Sequence, residues 1–341
     1  KAWLNIIGLV LFVLFLPLFF RMGGGRFAMA EVLPGQAEGI LLSFDFKPQE
    51  KAVVSAGLIG IDEVEFAKTL AVSKGGKALQ VTADELGKMK DHAYLKSKYY
   101  IVDSRTTLLE KDVQAEQALS LDLTIEKTKQ EPKILIFHTH IHEGFADSDM
   151  SKGLSEGIWG VGEELKRILE EEYGIAVLHD AGQYDMVNGK GQTTGAYERM
   201  EPPIREILKK YPSIEVCIDL HRDGVPEGTR LVTEIDGKQT AQVMFFNGLC
   251  RLNKNGTPQP VSGLENPYMR ENLAFSLQMK TAADSLFPDF ARKIYLNAYR
   301  FSLHFMPRST LIEVGAQTNT KAEAKNAMKP LAEVLASVLT E

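Results

Sequence analysis

From Lys133 onward the chain alternates short, continuous apolar runs with longer amphipathic stretches. The runs are Ile134–Phe137, Ile175–Leu178, Val216–Ile218 and Thr310–Val314. Each is too short for a helix and rich in β-branched or large apolar residues, which predicts strands buried on both faces. Between and after them, residues 160–173 (GVGEELKRILEEEY), 203–211, 266–286 and 321–339 repeat apolar positions at helical spacing. Strand-then-helix alternation predicts an α/β fold, a mostly parallel sheet flanked by helices. Ligands of such sheets bind beyond the carboxyl ends of the strands, so chemistry is to be sought directly after each apolar run.

Upstream the pattern is different. Residues 31–130 read as a small mixed α+β segment, in which the helix-like Ala83–Leu95 precedes the short apolar run Tyr99–Val102, and they carry no recognisable motif. The polar, proline-ended Lys127–Pro132 (KTKQEP) reads as a linker. Earlier still, Trp3–Phe20 is uncharged, with Asn5 its one strongly polar side chain, and approaches the length that spans a ~30 Å hydrocarbon layer as a helix. It predicts a retained transmembrane anchor. The competing reading, a cleaved secretory segment, would have its small-residue site at Ala28-Met29-Ala30, beyond Gly23–Gly25. Counted by flanking charge, Arg21 and Arg26 against Lys1 would turn the C-terminal domain inward. The expected organisation is an anchor with its flank (residues 1–26), a mixed region (27–130) and a catalytic domain (133–341).

Composition narrows the class. At 341 residues, 44% hydrophobic and 25% charged, the chain buries a substantial core and is neither disordered nor collagen-like. A formal net charge of −6 argues against a nucleic-acid partner, which would need a basic surface. Cys217 and Cys250 sit in apolar surroundings without metal-binding spacing; they read as buried small side chains, with a single disulfide as the alternative.

The predicted functional edge is where titratable residues gather. Directly after the first run stand His138, His140, His142 and Glu143; after the third, Asp219, His221, Arg222 and Asp223; within the last, Glu313. Neutral imidazole and carboxylate are the ligands of catalytic zinc. If the first strand continued, His138 and His140 would point to the same side. Asp219 is spaced to orient an imidazole from behind. A carboxylate buried as Glu313 is predicted to be would cost several kcal/mol without a partner. The bland alternatives are a solvated His-rich loop, a satisfied core His221 and a structural Glu313–Arg222 ion pair. The joint occurrence of all three sites at one sheet end favours metal-assisted amide hydrolysis. In that scheme Glu313 shuttles the proton and Arg222 stabilises the oxyanion or binds a substrate carboxylate. His92, His179 and His304 read as structural.

Taken together, His138-Thr139-His140-x-x-Glu143, Ile218-Asp219-Leu220-His221-Arg222-Asp223-Gly224 and Leu311-Ile312-Glu313-Val314-Gly315-Ala316-Gln317-Thr318-Asn319-Thr320 resemble the stage II sporulation protein P family. The resemblance extends over roughly residues 133–339, with weaker similarity at Val161–Leu165 and Tyr173–Ile175. It implies an amidase-like fold and a membrane-anchored, zinc-dependent N-acetylmuramoyl-L-alanine amidase that also cleaves peptide cross-links. It further implies action on peptidoglycan during forespore engulfment, with stage II sporulation proteins D and M as partners. Zn2+ would be held by His138 or His140, by Glu143 with Glu156 as the other choice, and by His221, with Glu313 as the catalytic carboxylate. His142 would be an extra imidazole. Peptidoglycan lies outside the cytoplasmic membrane, so the resemblance turns the catalytic domain outward, against the count of flanking charges. A catalytically inactive, membrane-tethered wall-binding scaffold is the rival expectation, and a zinc carboxypeptidase acting on stem peptides a third.

Overall fold

The computed structural model describes residues 81–340. The expected anchor Trp3–Phe20 lies outside the described residues, among which no helix is long and apolar enough to cross a membrane.

The centre is a seven-stranded sheet: β1 (Tyr100–Val102), β2 (Ile134–Phe137), β3 (Val177–His179), β4 (Val216–Asp223), β5 (Val243–Gly248), β6 (Ile294–Asn297) and β7 (Ser309–Ala316), in the order β1-β6-β5-β7-β4-β2-β3. Neighbours pair in parallel except β5 with β7. This antiparallel seam divides two parallel groups running in opposite directions. The mostly parallel sheet is therefore as expected, while β5 and β6 add strands that the apolar runs did not mark. Three short hairpins, at residues 186–191, 232–241 and 251–260, decorate the sheet.

The helices are α1 (Ala83–Met89), α2 (His92–Tyr99), α3 (Ala115–Ser120), α4 (Ile158–Glu171), α5 (Ala196–Lys210), α6 (Met269–Leu286), α7 (Lys321–Asn326) and α8 (Met328–Leu339). α4 buries Ile158, Val161, Leu165, Ile168 and Leu169, spaced three, four or one apart as a helix stripe requires, and turns Glu164 and Arg167 outward in an ion pair. The single helix expected over residues 321–339 is two. The ring of Pro330 would meet the carbonyl of Asn326 four residues back, and α7 ends at that residue. α5 shows the opposite outcome: it runs through Pro202 and Pro203 and begins at Ala196 rather than at Pro203. Burial of Ala196, Met200 and Ile204 on one face works against the roughly 3 kcal/mol that each of the two interior prolines costs.

The two sheet faces are covered unequally. Ile134, Ile136, Ile218, Leu220, Phe245, Ile312 and Val314 share one large core with the apolar sides of α4, α6 and α8. Leu135, Phe137 and Cys217, of opposite parity, meet Met200 and Ile204 of α5 in a separate, smaller core. The segment expected to form a region of its own before Lys133 is continuous with this body as far as it is described. β1 pairs with β6, and Leu86, Met89, Leu95, Leu119 and Leu123 lie in the large core. Gln278 of α6 donates to the carbonyls of Ala118 and Leu121, and the buried Arg251–Asp112 pair fastens the 251–260 hairpin to the same segment.

Candidate active site

Strand parity assigns the titratable residues to the thinly covered face. Asp219 pairs with Phe137 and with Leu311, and His221 with Glu313. Directly paired and alternate residues share a face, so Asp219, His221, Asp223 and Glu313 stand on the α5 side. After Glu313 the register shifts, so that Ala316 rather than Gly315 opposes Asp223, and Gly315 takes φ +55°. A bulge of this kind re-aims the neighbouring side chains. A side chain at Gly315 would also meet Asn319 Oδ1 at 2.7 Å. The Gln317–Thr320 stretch holds the next turn. The Gln317 side chain accepts from Val225 N–H at 3.0 Å and donates to the Val225 carbonyl, while Asn319 Oδ1 accepts from Ala316 N–H at 2.9 Å.

His138 and His140 part company because β2 stops at Phe137. His138 keeps strand parity and points to the α4 side. There Nδ1 faces the Leu220 carbonyl at 2.7 Å and Nε2 meets His179 Nε2 at 2.7 Å. His179 in turn bonds Glu163 through Nδ1 and stacks on Trp159 with ring centroids 5.2 Å apart. Gly162 permits this packing, since a Cβ there would lie 2.7 Å from His179 Nε2. Burial lowers the pKa of His138 to about 3, helped by the neighbouring His179, and lowers that of His179 to about 4. The chain then turns, and His140 comes round to the α5 side. Its ring stands edge-on to His221 at 5.4 Å and to Tyr197 of α5 at 5.8 Å.

Asp219 locks this turn to β4. Oδ1 accepts from Thr139 N–H at 2.9 Å and from His221 Nε2 at 2.7 Å; Oδ2 accepts the Thr139 hydroxyl at 2.7 Å. With Nε2 so engaged, His221 presents Nδ1 to Glu143 Oε2 at 3.4 Å. Glu143 Oε2 also accepts the Arg222 main-chain N–H at 3.0 Å. Burial would lower the pKa of His221, but the carboxylates of Asp219 and Glu143 outweigh it and hold that pKa well above its usual value. Burial would likewise raise Glu143 and Asp219, yet His221 beside them keeps both low, Asp219 at about 2. Glu313 is raised well above the carboxylate range by burial and by the nearby Asp223.

The remaining expected residues have other partners. Glu156 is ion-paired with Lys321, so Glu143 is the carboxylate beside His221. His142 is held by Asp185, through its main-chain N–H at 3.0 Å and Nδ1 at 2.8 Å. Arg222, one residue past His221, falls on the opposite parity to Glu313. Its guanidinium donates to the carbonyls of Gly144 and Asp223 at 2.9 and 3.0 Å, which ties the Glu143 loop to β4 rather than offering the group to a reacting carbonyl. His179, read from the sequence as structural, directly follows the second apolar run and adjoins Asp180, so its position at a strand end is the signal that marks it; Tyr197 carries no such signal, and only the fold brings it to His140. Cys217 and Cys250 are free thiols, the first buried and the second partly so.

Among the described residues no three His, Cys, Asp or Glu side chains already stand in the arrangement of a metal shell. The donor chemistry nevertheless suits zinc. His140 Nδ1 and Glu313 Oε2 are both buried without a hydrogen-bond partner among the described residues, and they flank the Glu143–His221 pair. Two imidazoles and one carboxylate, with a second carboxylate to spare, form the donor set of a catalytic zinc site. The Asp219 contact to His221 is the outer carboxylate that such a histidine ligand ordinarily keeps.

Comparison with known proteins adds a family. The family described as Stage II sporulation protein P (SpoIIP) matches residues 63–336. No curated protein matches. Among solved structures, the chain is similar to N-acetylmuramoyl-L-alanine amidase AmiC2 of Nostoc punctiforme, at 13% identity and a TM-score of 0.33 over 60% of this chain and 96% of that one. It is similar to the CwlD amidase of Clostridioides difficile, solved in complex with the GerS lipoprotein, at 11% identity and 0.35 over 60% and 94%. A third is the amidase Ami1 of Mycobacterium abscessus, at 14% identity and 0.34 over 61% and 96%.

Proposed function

Because the chain belongs to the stage II sporulation protein P family, we propose that it is a zinc-dependent peptidoglycan hydrolase of sporulation. In this reading it is an N-acetylmuramoyl-L-alanine amidase that also cuts peptide cross-links. It is tethered to the cytoplasmic membrane by Trp3–Phe20 with its catalytic domain outside, and works in engulfment with stage II sporulation proteins D and M. The observation that carries the chemistry is the convergence of His140, Glu143 and His221, with Glu313 in register beside His221.

His140, Glu143 and His221 would hold the zinc. Zinc, when bound, polarises the scissile carbonyl and makes water a nucleophile at neutral pH. The chain's own part is orientation and proton transfer. Asp219 keeps the proton of His221 on Nε2 and so leaves Nδ1 as the donor atom. Arg222 holds the Glu143 loop in reach. Glu313, which stands in register beside His221 and is raised well above the carboxylate range by burial and by the nearby Asp223, would in its ionised form take the proton of the attacking water and return it to the departing amide nitrogen. His138, bound to Leu220 and His179, braces the strand end behind His221.

The test is digestion of purified peptidoglycan with and without zinc and chelator, beside Glu313→Ala, with the products read by mass. Zinc-dependent release of intact stem peptides by the wild type alone is expected. Release of free terminal amino acids would point to a carboxypeptidase instead. Binding to sacculi without any cut, zinc present and partner proteins added, would overturn the enzymatic reading in favour of a scaffold.

A further inference from the structure

Glu313 does not stand alone on its strand end. Asp223, two residues past His221 and on the same face, is the next strand position beside Glu313, which pairs with His221 just before the register shift, and its Oδ1 accepts the Gly224 N–H at 2.6 Å. Its Oδ2 receives Nη1 of Arg292 at 2.6 Å; the Asp223 side chain is fully buried and that of Arg292 is 11% exposed. Arg292 is fixed in its own right, since its main-chain N–H donates to the Val243 carbonyl at 2.8 Å at the start of β5, across the antiparallel seam from Val314. A guanidinium from the segment before β6, tied by its main chain to β5, a carboxylate on β4 and the Glu313 carboxyl on β7 are thus brought together at one end of the sheet.

The balance of charge gives this arrangement a reason. Asp219, Glu143, Asp223 and Glu313 surround His221, and two arginines lie close by. Arg222 spends its guanidinium on carbonyls; Arg292 meets a carboxylate directly. Without it, the buried Asp223 side chain would keep only the Gly224 N–H as a partner and would lose the contact that fixes its Oδ2 on the Glu313 side of the strand end.

We propose that Arg292 is a positioning residue for the hydrolytic reaction, acting through Asp223 to hold the Glu313 carboxyl beside His221. This rests on the function proposed above. It assigns a role to a residue outside every motif of the sequence, and it acts without touching substrate or metal.

The experiment uses the full chain in detergent, loaded with zinc, as wild type, Arg292→Gln and Arg292→Lys. Stem-peptide release at saturating sacculi, sacculus binding and zinc content are measured for each. Misplacing a catalytic group by about 1 Å costs on the order of 100-fold in rate. Arg292→Gln is therefore expected to lose about 100-fold in release, with binding and zinc content within about twofold of wild type, and Arg292→Lys to recover much of the rate. Millimolar guanidinium should partly restore Arg292→Gln without changing its Tm. Release by Arg292→Gln at the wild-type rate overturns the proposal, as does loss of rate, binding and zinc together, or a rate that guanidinium leaves unmoved. Should Arg292→Gln fail to fold, Arg292→Lys decides by position: a crystal structure with Glu313 displaced from Asp223 supports the role, and one with Glu313 in place at full loss of rate overturns it. An inactive wild type would instead count against the proposed function, and the position of the Glu313 carboxyl in crystals of the variants tests Arg292 independently of that outcome.

Discussion

Asp219 offers the sharpest test of how the site is built, because its two nearest substitutions make opposite demands on the same three hydrogen bonds. The side chain has no exposure. Its Oδ1 receives Thr139 N–H and His221 Nε2–H, and its Oδ2 receives the Thr139 hydroxyl. Asp219→Ala orphans two donors that cannot turn away, a main-chain N–H and an imidazole N–H, at about 1–3 kcal/mol each, and strips a buried charge from its partner. The expected loss is roughly 3–5 kcal/mol, a fall in Tm on the order of 10 °C for a domain of this size. Asp219→Asn can keep the geometry. Its Oδ1 takes both N–H donors, and its Nδ2 donates to a Thr139 hydroxyl that reverses its role. Only the charge assistance is lost, about 1–2 kcal/mol. Urea and thermal unfolding followed by far-UV circular dichroism measure both, and zinc titration adds a functional reading: weakening an outer-shell carboxylate costs roughly 10–100-fold in metal affinity. The reasoning fails if Asp219→Ala unfolds within about 1 kcal/mol of wild type, or if Asn proves as costly as Ala.

Three further outcomes are expected. Glu143→Gln abolishes zinc retention on a desalting column, whereas Glu156→Gln, which removes only an ion pair with Lys321, leaves it unchanged; the reverse would move the carboxylate ligand to Glu156. Gly162→Ala gains the roughly 0.5–1 kcal/mol that alanine has over glycine inside a helix, but its Cβ would lie 2.7 Å from His179 Nε2 and 3.0 Å from His138 Nε2. Both rings are held by other partners, so a net loss of about 1–2 kcal/mol should appear in denaturant unfolding, and a stabilised variant would refute the packing. Neither thiol should react with a disulfide reagent at pH 8 while the chain is folded, and both should in urea. Burial pushes the Cys250 thiol up to about 11 and Cys217 further, leaving on the order of one thiolate in a thousand at Cys250; prompt labelling of either would contradict their placement.

How much of this is legible in the sequence depends on how local each feature is. The runs at 134–137, 216–218 and 310–314 announce strands because a stretch buried on both faces must be apolar throughout. A charged or imidazole side chain interrupting or ending such a run is conspicuous for the same reason. His221 and Glu313 are visible that way, and the register that makes them neighbours comes from parallel pairing of their strands. The antiparallel seam is not visible, because it depends on which strands meet rather than on what each is made of. The polar stretch at Lys127–Pro132 sets residues 81–126 apart from the catalytic region in the sequence. Yet such a stretch records only exposure of the connection, and the strand before it joins the same sheet at β6.

The histidine pair shows where reading by period gives out. Two residues apart in a strand means one face, so His138 and His140 are equivalent as long as β2 is taken to continue. β2 ends at Phe137, and nothing in a run of three histidines marks that point; the stop is enforced from outside, by Asp219 drawing in both the N–H and the hydroxyl of Thr139. The same lock that bends the chain faces His140 toward His221 and leaves His138 with His179. Parity decides Arg222 by the same logic. One step beyond His221 in a strand still extended to Asp223, its side chain must leave on the other face, and the guanidinium that meets Asp223 is that of Arg292, which arrives from the segment leading into β6.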